Sequence, residues 1–98
     1  MQIKIQAVNF NIDKDLKEFI EERVSKLSIN YDKIIGSEVF LRVEKTATKD
    51  NKISEIKLMI PGNDLFAKKQ SKTFEEATDQ AIDALKKQIS KRKSRVKA

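Results

Sequence analysis

The chain has no cysteine and no histidine. Without cysteine there is no disulfide and no thiolate metal site. Without histidine the commonest general base and a common zinc ligand are gone as well. Glycine occurs only at Gly36 and Gly62, too sparsely for a phosphate-cradling loop. No apolar run approaches the ~20 residues of a membrane span, and the opening MQIKIQAV alternates and carries charge, unlike a signal peptide. Aromatics make up 6% of the chain, which lacks both the aromatic-rich strand motifs of an RRM and the GXXG loop of a KH module. Asp and Glu are plentiful but dispersed. Glu21-Glu22 and Glu75-Glu76 are adjacent pairs, and adjacent residues do not share a helix face. These absences argue against an enzyme, a metal site or a cofactor. The expected address is the cytoplasm, whose reducing conditions suit a chain free of cysteine.

Acid is also missing from one end. Lys and Arg number 21 against 15 Asp and Glu, a net charge of +6. From Ala84 to Ala98 there are seven bases and no acid, whereas residues 1–83 hold fourteen bases and fifteen acids, a net of −1. A nearly neutral body with a cationic end is the electrostatic pattern of a polyanion binder.

Ninety-eight residues at 39% hydrophobic make a single domain over 1–98. Ile3, Ile5 and Ala7 alternate with Lys4 and Gln6, a half-buried strand. Leu16, Phe19, Ile20, Val24 and Leu27 then form a helical stripe behind an N-cap at Asp13. The back of that helix mixes both signs and reads as a solvated face. Residues 29–36 form a connection ending at Gly36. Val39, Leu41 and Val43 mark a second strand, and Ile56, Leu58 and Ile60 a third, with a polar loop from Thr46 to Lys52 between them. Ile53 is out of register with Ile56, which predicts a bulge or a later strand start. Pro61-Gly62-Asn63-Asp64 is a turn, and Leu65 and Ala67 open a fourth strand. Thr73 to Glu76 has capping-box spacing, and Phe74, Ala77, Ala81, Leu85 and Ile89 form a long stripe. The order β-α-β-β-β-α predicts an α+β fold, a four-stranded mixed sheet with two helices packed on one face and the other face open. A parallel first pair would make the opening crossover right-handed.

On the second helix, Lys86, Lys93 and Lys97 fall on one flank of the Leu85/Ile89 stripe, and Lys87, Lys91 and Arg95 on the other. Arg92 falls on the stripe itself, which suits a helix that has run past the sheet edge. Residues 90–98 therefore read as a projecting cationic end. Solubility and a favourable helix-end charge account for part of this cluster; the lack of any interspersed acid favours phosphate contact. Lys4, Arg42, Lys57 and Lys68 share the outward parity of their strands and could lend the open face a positive strip. Lys69 and Lys72 lie just before the helix. Phe40, Met59 and Phe66 have outward parity too, and either cover a hydrophobic patch or stack on bases.

Residues 60–95, IPGNDLFAKKQSKTFEEATDQAIDALKKQISKRKSR, join a strand, a Pro-Gly turn, a Leu-x-Ala strand, an aromatic-x-x-Ala helix start and an L-x-x-Q-I-x-K-x-K-x-R ending. With LKEFIEERVSKL at 16–27, and over nearly its whole length, the chain resembles the short ribosome hibernation-promoting factors and the related ribosome-associated inhibitor, the sigma-54 modulation protein family. The resemblance implies a fold similar to a double-stranded-RNA-binding domain. It also implies binding in the decoding channel of the small ribosomal subunit, against ribosomal RNA, where messenger and transfer RNAs would sit. Translation would stop and idle ribosomes would be preserved under stress or in stationary phase. The family's basic positions map onto Lys86, Lys87, Lys91, Arg92, Lys93 and Arg95, with Lys68 and Lys69 on the adjoining strand. Further RNA contacts would come from Lys4, Arg42, Lys57, Lys72 and Lys97. Members often carry Asp-Met-Tyr where this chain has Lys72-Thr73-Phe74. The C-terminal domain of the long forms and the acidic tail of the inhibitor branch are not seen, which implies the short promoting type. Such a protein would be a monomer when free and work in some organisms with a separate ribosome-pairing factor. Two other readings stay open: a structured-RNA or DNA binder without ribosome specificity, and a scaffold docking a protein on Phe40 and Phe66.

Overall fold

The computed structural model describes residues 1–45 and 51–96 (for residue 30 and residues 93–96, the backbone alone). Strand β1 (Gln2–Ala7) leads through α1 (Lys14–Ser25) and a single further turn, α2 (Leu27–Asn30), into β2 (Gly36–Val43). Then come β3 (Lys52–Met59), β4 (Leu65–Ser71) and α3 (Phe74–Val96). The sheet order is β1-β2-β3-β4, with β1 parallel to β2 and the other pairs antiparallel. A parallel pair needs a crossover, and α1 supplies it. The β-α-β-β-β-α order and the mixed sheet are as the periodicity predicts.

Asp13 starts α1 by accepting the Leu16 N–H on Oδ1 at 2.7 Å, satisfying one orphan donor of the first turn. Ile20, Val24 and Leu27 are then fully buried against the sheet residues Val39, Leu41, Ile56 and Leu58 in one cluster, which Ala81, Leu85 and Ile89 of α3 join. Burying each such Leu or Ile contributes about 1.5–3 kcal/mol. Helix α3 lies over β3 and β4, and α1 packs beside it toward β1. Phe74 stacks on Phe10 with centroids 5.1 Å apart, tying the start of α3 to the β1–α1 connection.

Four expectations need correction. β3 has no bulge: it pairs one-to-one with both neighbours from Lys52 onward. Ile53 instead points to the face without helices, where it is only 1% exposed between its ladder partners Arg42 and Gln70. That face is therefore not wholly open: a central strand position flanked on both sides can bury an apolar side chain without a helix above it. Gly36, read as the end of a connection, is the first residue of β2, opposite Gln2 and Met59. Of the loop read over Thr46 to Lys52, residues 46–50 lie outside the described residues, and Lys52 already belongs to β3. No helix among the described residues is long and apolar enough to cross a membrane.

Candidate nucleic-acid interface

Helix α3 carries its charge in two halves. Glu75, Glu76, Asp79 and Asp83 occupy the first ten residues with no base among them; from Ala84 onward the bases have no acid. Both halves agree with the helix dipole. Thr73 caps the helix by accepting the Glu76 N–H at 3.0 Å. The reciprocal half of the expected capping box is absent: the Glu76 carboxylate instead accepts from the Ser71 hydroxyl at 2.7 Å. The last residue of β4 thus offers a hydroxyl that takes the carboxylate from the backbone.

Beyond the cap, the helical stripe holds α3 on the sheet and sends its lysines to the two flanks. On one flank, Lys87 and Lys91 line an open groove with Lys69 of β4, and Asp83 closes one side. Lys69 has the parity of Leu65 and Ala67, which face the helices. It is nevertheless exposed, because β4 is the edge strand and the lysine leaves the layer beside α3. Lys69, Lys87 and Lys91 form no ion pair with any acid among the described residues. On the other flank, Lys86 shares a groove with Arg23 and Lys26 of α1, together with Asp79 and Asp83. Arg23 lies 3.9 Å from the Asp79 carboxylate and its guanidinium covers the Phe19 ring at 4.7 Å; Lys26 pairs with Glu22 at 3.4 Å. Arg23 and Lys26 had no distinguishing signal in the mixed back of α1. Only the packing of α1 against α3 sets them beside Lys86.

The other sequence-selected residues do not join these grooves. Lys68 sits on the opposite face of β4 from Lys69. On that face Arg42 is paired with Glu55 at 3.4 Å, and Lys57 lies between Glu38 at 3.8 Å and Asp64 at 3.5 Å. The positive strip read from parity is therefore a charge-alternating surface, in which Lys4 and Lys68 stand across the ladder from Glu38 and Glu55 and form no ion pair among the described residues. Phe40 and Met59 are half-buried there, while Phe66 is 51% exposed. Lys72 is exposed just before α3. Arg92 donates from Nη2 to the Pro61 carbonyl at 2.7 Å and from Nη1 to the Asn63 carbonyl at 3.1 Å. The helix has thus not left the body at residue 90; it is still fastened to the β3–β4 turn at Arg92. The side chains of Lys93 and Arg95, and all of Lys97, lie outside the described residues. Among the described residues no three acids gather as metal ligands.

The family model described as Sigma 54 modulation protein / S30EA ribosomal protein matches residues 3–97. The chain belongs to this family. One relative is the ribosome hibernation promoting factor of Escherichia coli (strain K12), 31% identical over 97 residues, which are 99% of this chain and 98% of the relative. The ribosome hibernation promoting factor of Pseudomonas putida is 27% identical over 95 residues, 97% of this chain and 89% of the relative. Among solved structures, a ribosomal subunit interface protein from Coxiella burnetii superposes with a TM-score of 0.83 at 22% identity, covering 96% of this chain and 99% of the other. The N-terminal domain of Thermus thermophilus Protein Y gives 0.78 at 24% identity, covering 93% and 98%. At these identities the two structures speak for the fold of the family.

Proposed function

We propose that this protein is a ribosome hibernation factor, which binds the small ribosomal subunit in its decoding channel and stops translation by occupying the place of messenger and transfer RNA. The observation that carries this reading is the groove in which Lys69 of β4 faces Lys87 and Lys91 of α3, with no acid among the described residues paired to any of the three. Family membership and the relatives' names support the ribosome as the polyanion. Ribosomal RNA offers phosphate oxygens at close spacing. Each phosphate neutralised releases counterions, so a handful of lysines yields tight, salt-sensitive binding without a cofactor or a bond made or broken. Lys86, with Arg23 and Lys26, forms a second set of phosphate contacts on the far flank of α3, and Lys93, Arg95 and Lys97 supply further ones. Lys68, Lys72 and Lys4 add weaker outlying contacts. The occupied subunit is held idle under stress or in stationary phase, in the cytoplasm. The free protein is a monomer, and a separate factor does any pairing of ribosomes.

Cosedimentation with isolated small subunits across a salt series, with generic duplex RNA as competitor, tests this. Saturable binding that weakens steeply with salt and survives a mass excess of duplex RNA is expected. Equal displacement by duplex RNA would reduce the protein to a general RNA binder, and no binding at low salt would defeat the proposal.

A further inference from the structure

The groove lysines are long and flexible, and the apolar stripe that holds α3 on the sheet reaches the core last at Ile89. Two polar side chains one turn apart add a second hold at that end. Gln88 donates from Nε2 to the Phe66 carbonyl of the edge strand at 2.9 Å. Arg92 bridges the Pro61 and Asn63 carbonyls across the turn. The residue between those carbonyls is Gly62, with φ at +97°, and a Cβ built there would stand 3.0 Å from Nη2 of Arg92. The turn is thus shaped around the guanidinium: positive φ favours glycine, and so does the space the arginine takes. A planar fork suits two carbonyls at once, whereas a lysine ammonium is a single point donor on a flexible stem. To reach a phosphate, Arg92 would have to give up both bonds.

We infer that Arg92, with Gln88, is a positioning residue that seats the basic end of α3 on the β3–β4 turn, so that Lys87 and Lys91 face Lys69 at a set spacing. It acts on RNA through those lysines and makes no phosphate contact itself. This inference rests on the reading of the groove as a phosphate-binding surface. Ile89 is the last described residue of α3 buried in the core, and a helix end without anchors frays; lysines on a frayed end lose the orientation that makes binding efficient.

Arg92→Lys and Gln88→Ala in the full chain separate this role from direct contact. Arg92→Lys keeps the charge, so the counterion release of a phosphate contact would survive it. We expect it instead to weaken small-subunit binding about three- to tenfold. The slope of log affinity against log salt should stay as in the unchanged protein, while amide exchange over the last turns of α3 in the free protein speeds up. Gln88→Ala should do the same more weakly, although it removes no charge. Lys87→Ala, run alongside, should lower the slope by about one contact. The inference is overturned if Arg92→Lys binds as tightly as the unchanged protein, or if amide exchange does not change. A Lys87→Ala variant that binds with an unchanged slope would defeat the groove reading instead, leaving the exchange measurement to judge the anchor.

Discussion

The two cationic surfaces of this domain are built from the same residue types and differ in what sits opposite. On the sheet face that lacks helices, Arg42 and Lys57 lie in a ladder that sets Glu38 directly opposite Lys57, with Glu55 diagonal to Arg42. On the flank of α3, Lys87 and Lys91 meet Lys69 and no paired acid among the described residues. A strand places its neighbours' side chains about 4.5–5.5 Å away on both sides, so opposite charges find each other readily. A helix flank at the edge of a sheet has neighbours on one side only. Phosphate binding asks for cations whose charge is not already met, and the second surface provides them.

The comparison breaks most easily by emptying the α3 flank. Replacing Lys69, Lys87 and Lys91 together with Ala should lower small-subunit affinity by at least about a hundredfold at moderate salt and flatten the salt dependence by about two to three contacts. All three are exposed, so the melting temperature should hardly move. Cosedimentation across a salt series, paired with thermal melts, reads both. A loss of affinity with an unchanged slope would mean that the lysines act on something other than phosphate.

The opposite surface supplies the next, smaller effect. Arg42→Ala and Lys57→Ala should leave affinity within about twofold, because charges already paired at a surface add little field. The loss of stability should stay below about 1 kcal/mol each, as for other exposed pairs. If either variant costs as much binding as the loss of Lys87, the pairing seen between strands gives way to RNA on contact, and the two surfaces act as one.

Much of this contrast could not be read along the chain. Strands and helices could, because Ile3/Ile5, Val39/Leu41 and Ile56/Leu58 keep a period of two while Leu85/Ile89 keeps a helical one. The flank assignment of Lys86 against Lys87 and Lys91 followed from that same period. Register did not: nothing local says that Glu38 faces Lys57 or that Ile53 sits between Arg42 and Gln70. The family resemblance maps Lys68 and Lys69 together, yet the period of two sends Lys68 outward, and a strand places adjacent side chains on opposite faces. Arg92 was conspicuous as a cation on an apolar stripe. Its partners are backbone carbonyls in a turn some thirty residues away in sequence, and carbonyls leave no mark in a sequence pattern. Arg23 and Lys26 gain meaning only when α1 lies beside α3.

The smallest effect extends the same lesson to uncharged groups in the core. Ser37 and Ser54 are both buried, at 1% and 0% exposure, on the strand face that packs under the helices. Ser54 accepts a hydrogen bond from the Thr78 hydroxyl of α3 at 3.1 Å. The Ser37 hydroxyl has no partner among the described residues. A buried hydroxyl without a partner carries a desolvation cost that removal relieves, whereas removing one member of a bonded pair strands the other. Ser37→Ala should therefore be neutral or stabilise by up to about 1 kcal/mol, while Ser54→Ala should destabilise by about 1 kcal/mol. Neither should change ribosome affinity, since both are buried and neither carries charge. Chemical denaturation of the two variants side by side decides it. If Ser37→Ala proves as costly as Ser54→Ala, its hydroxyl has a partner in solution after all, and the contrast between met and unmet groups fails at its simplest point.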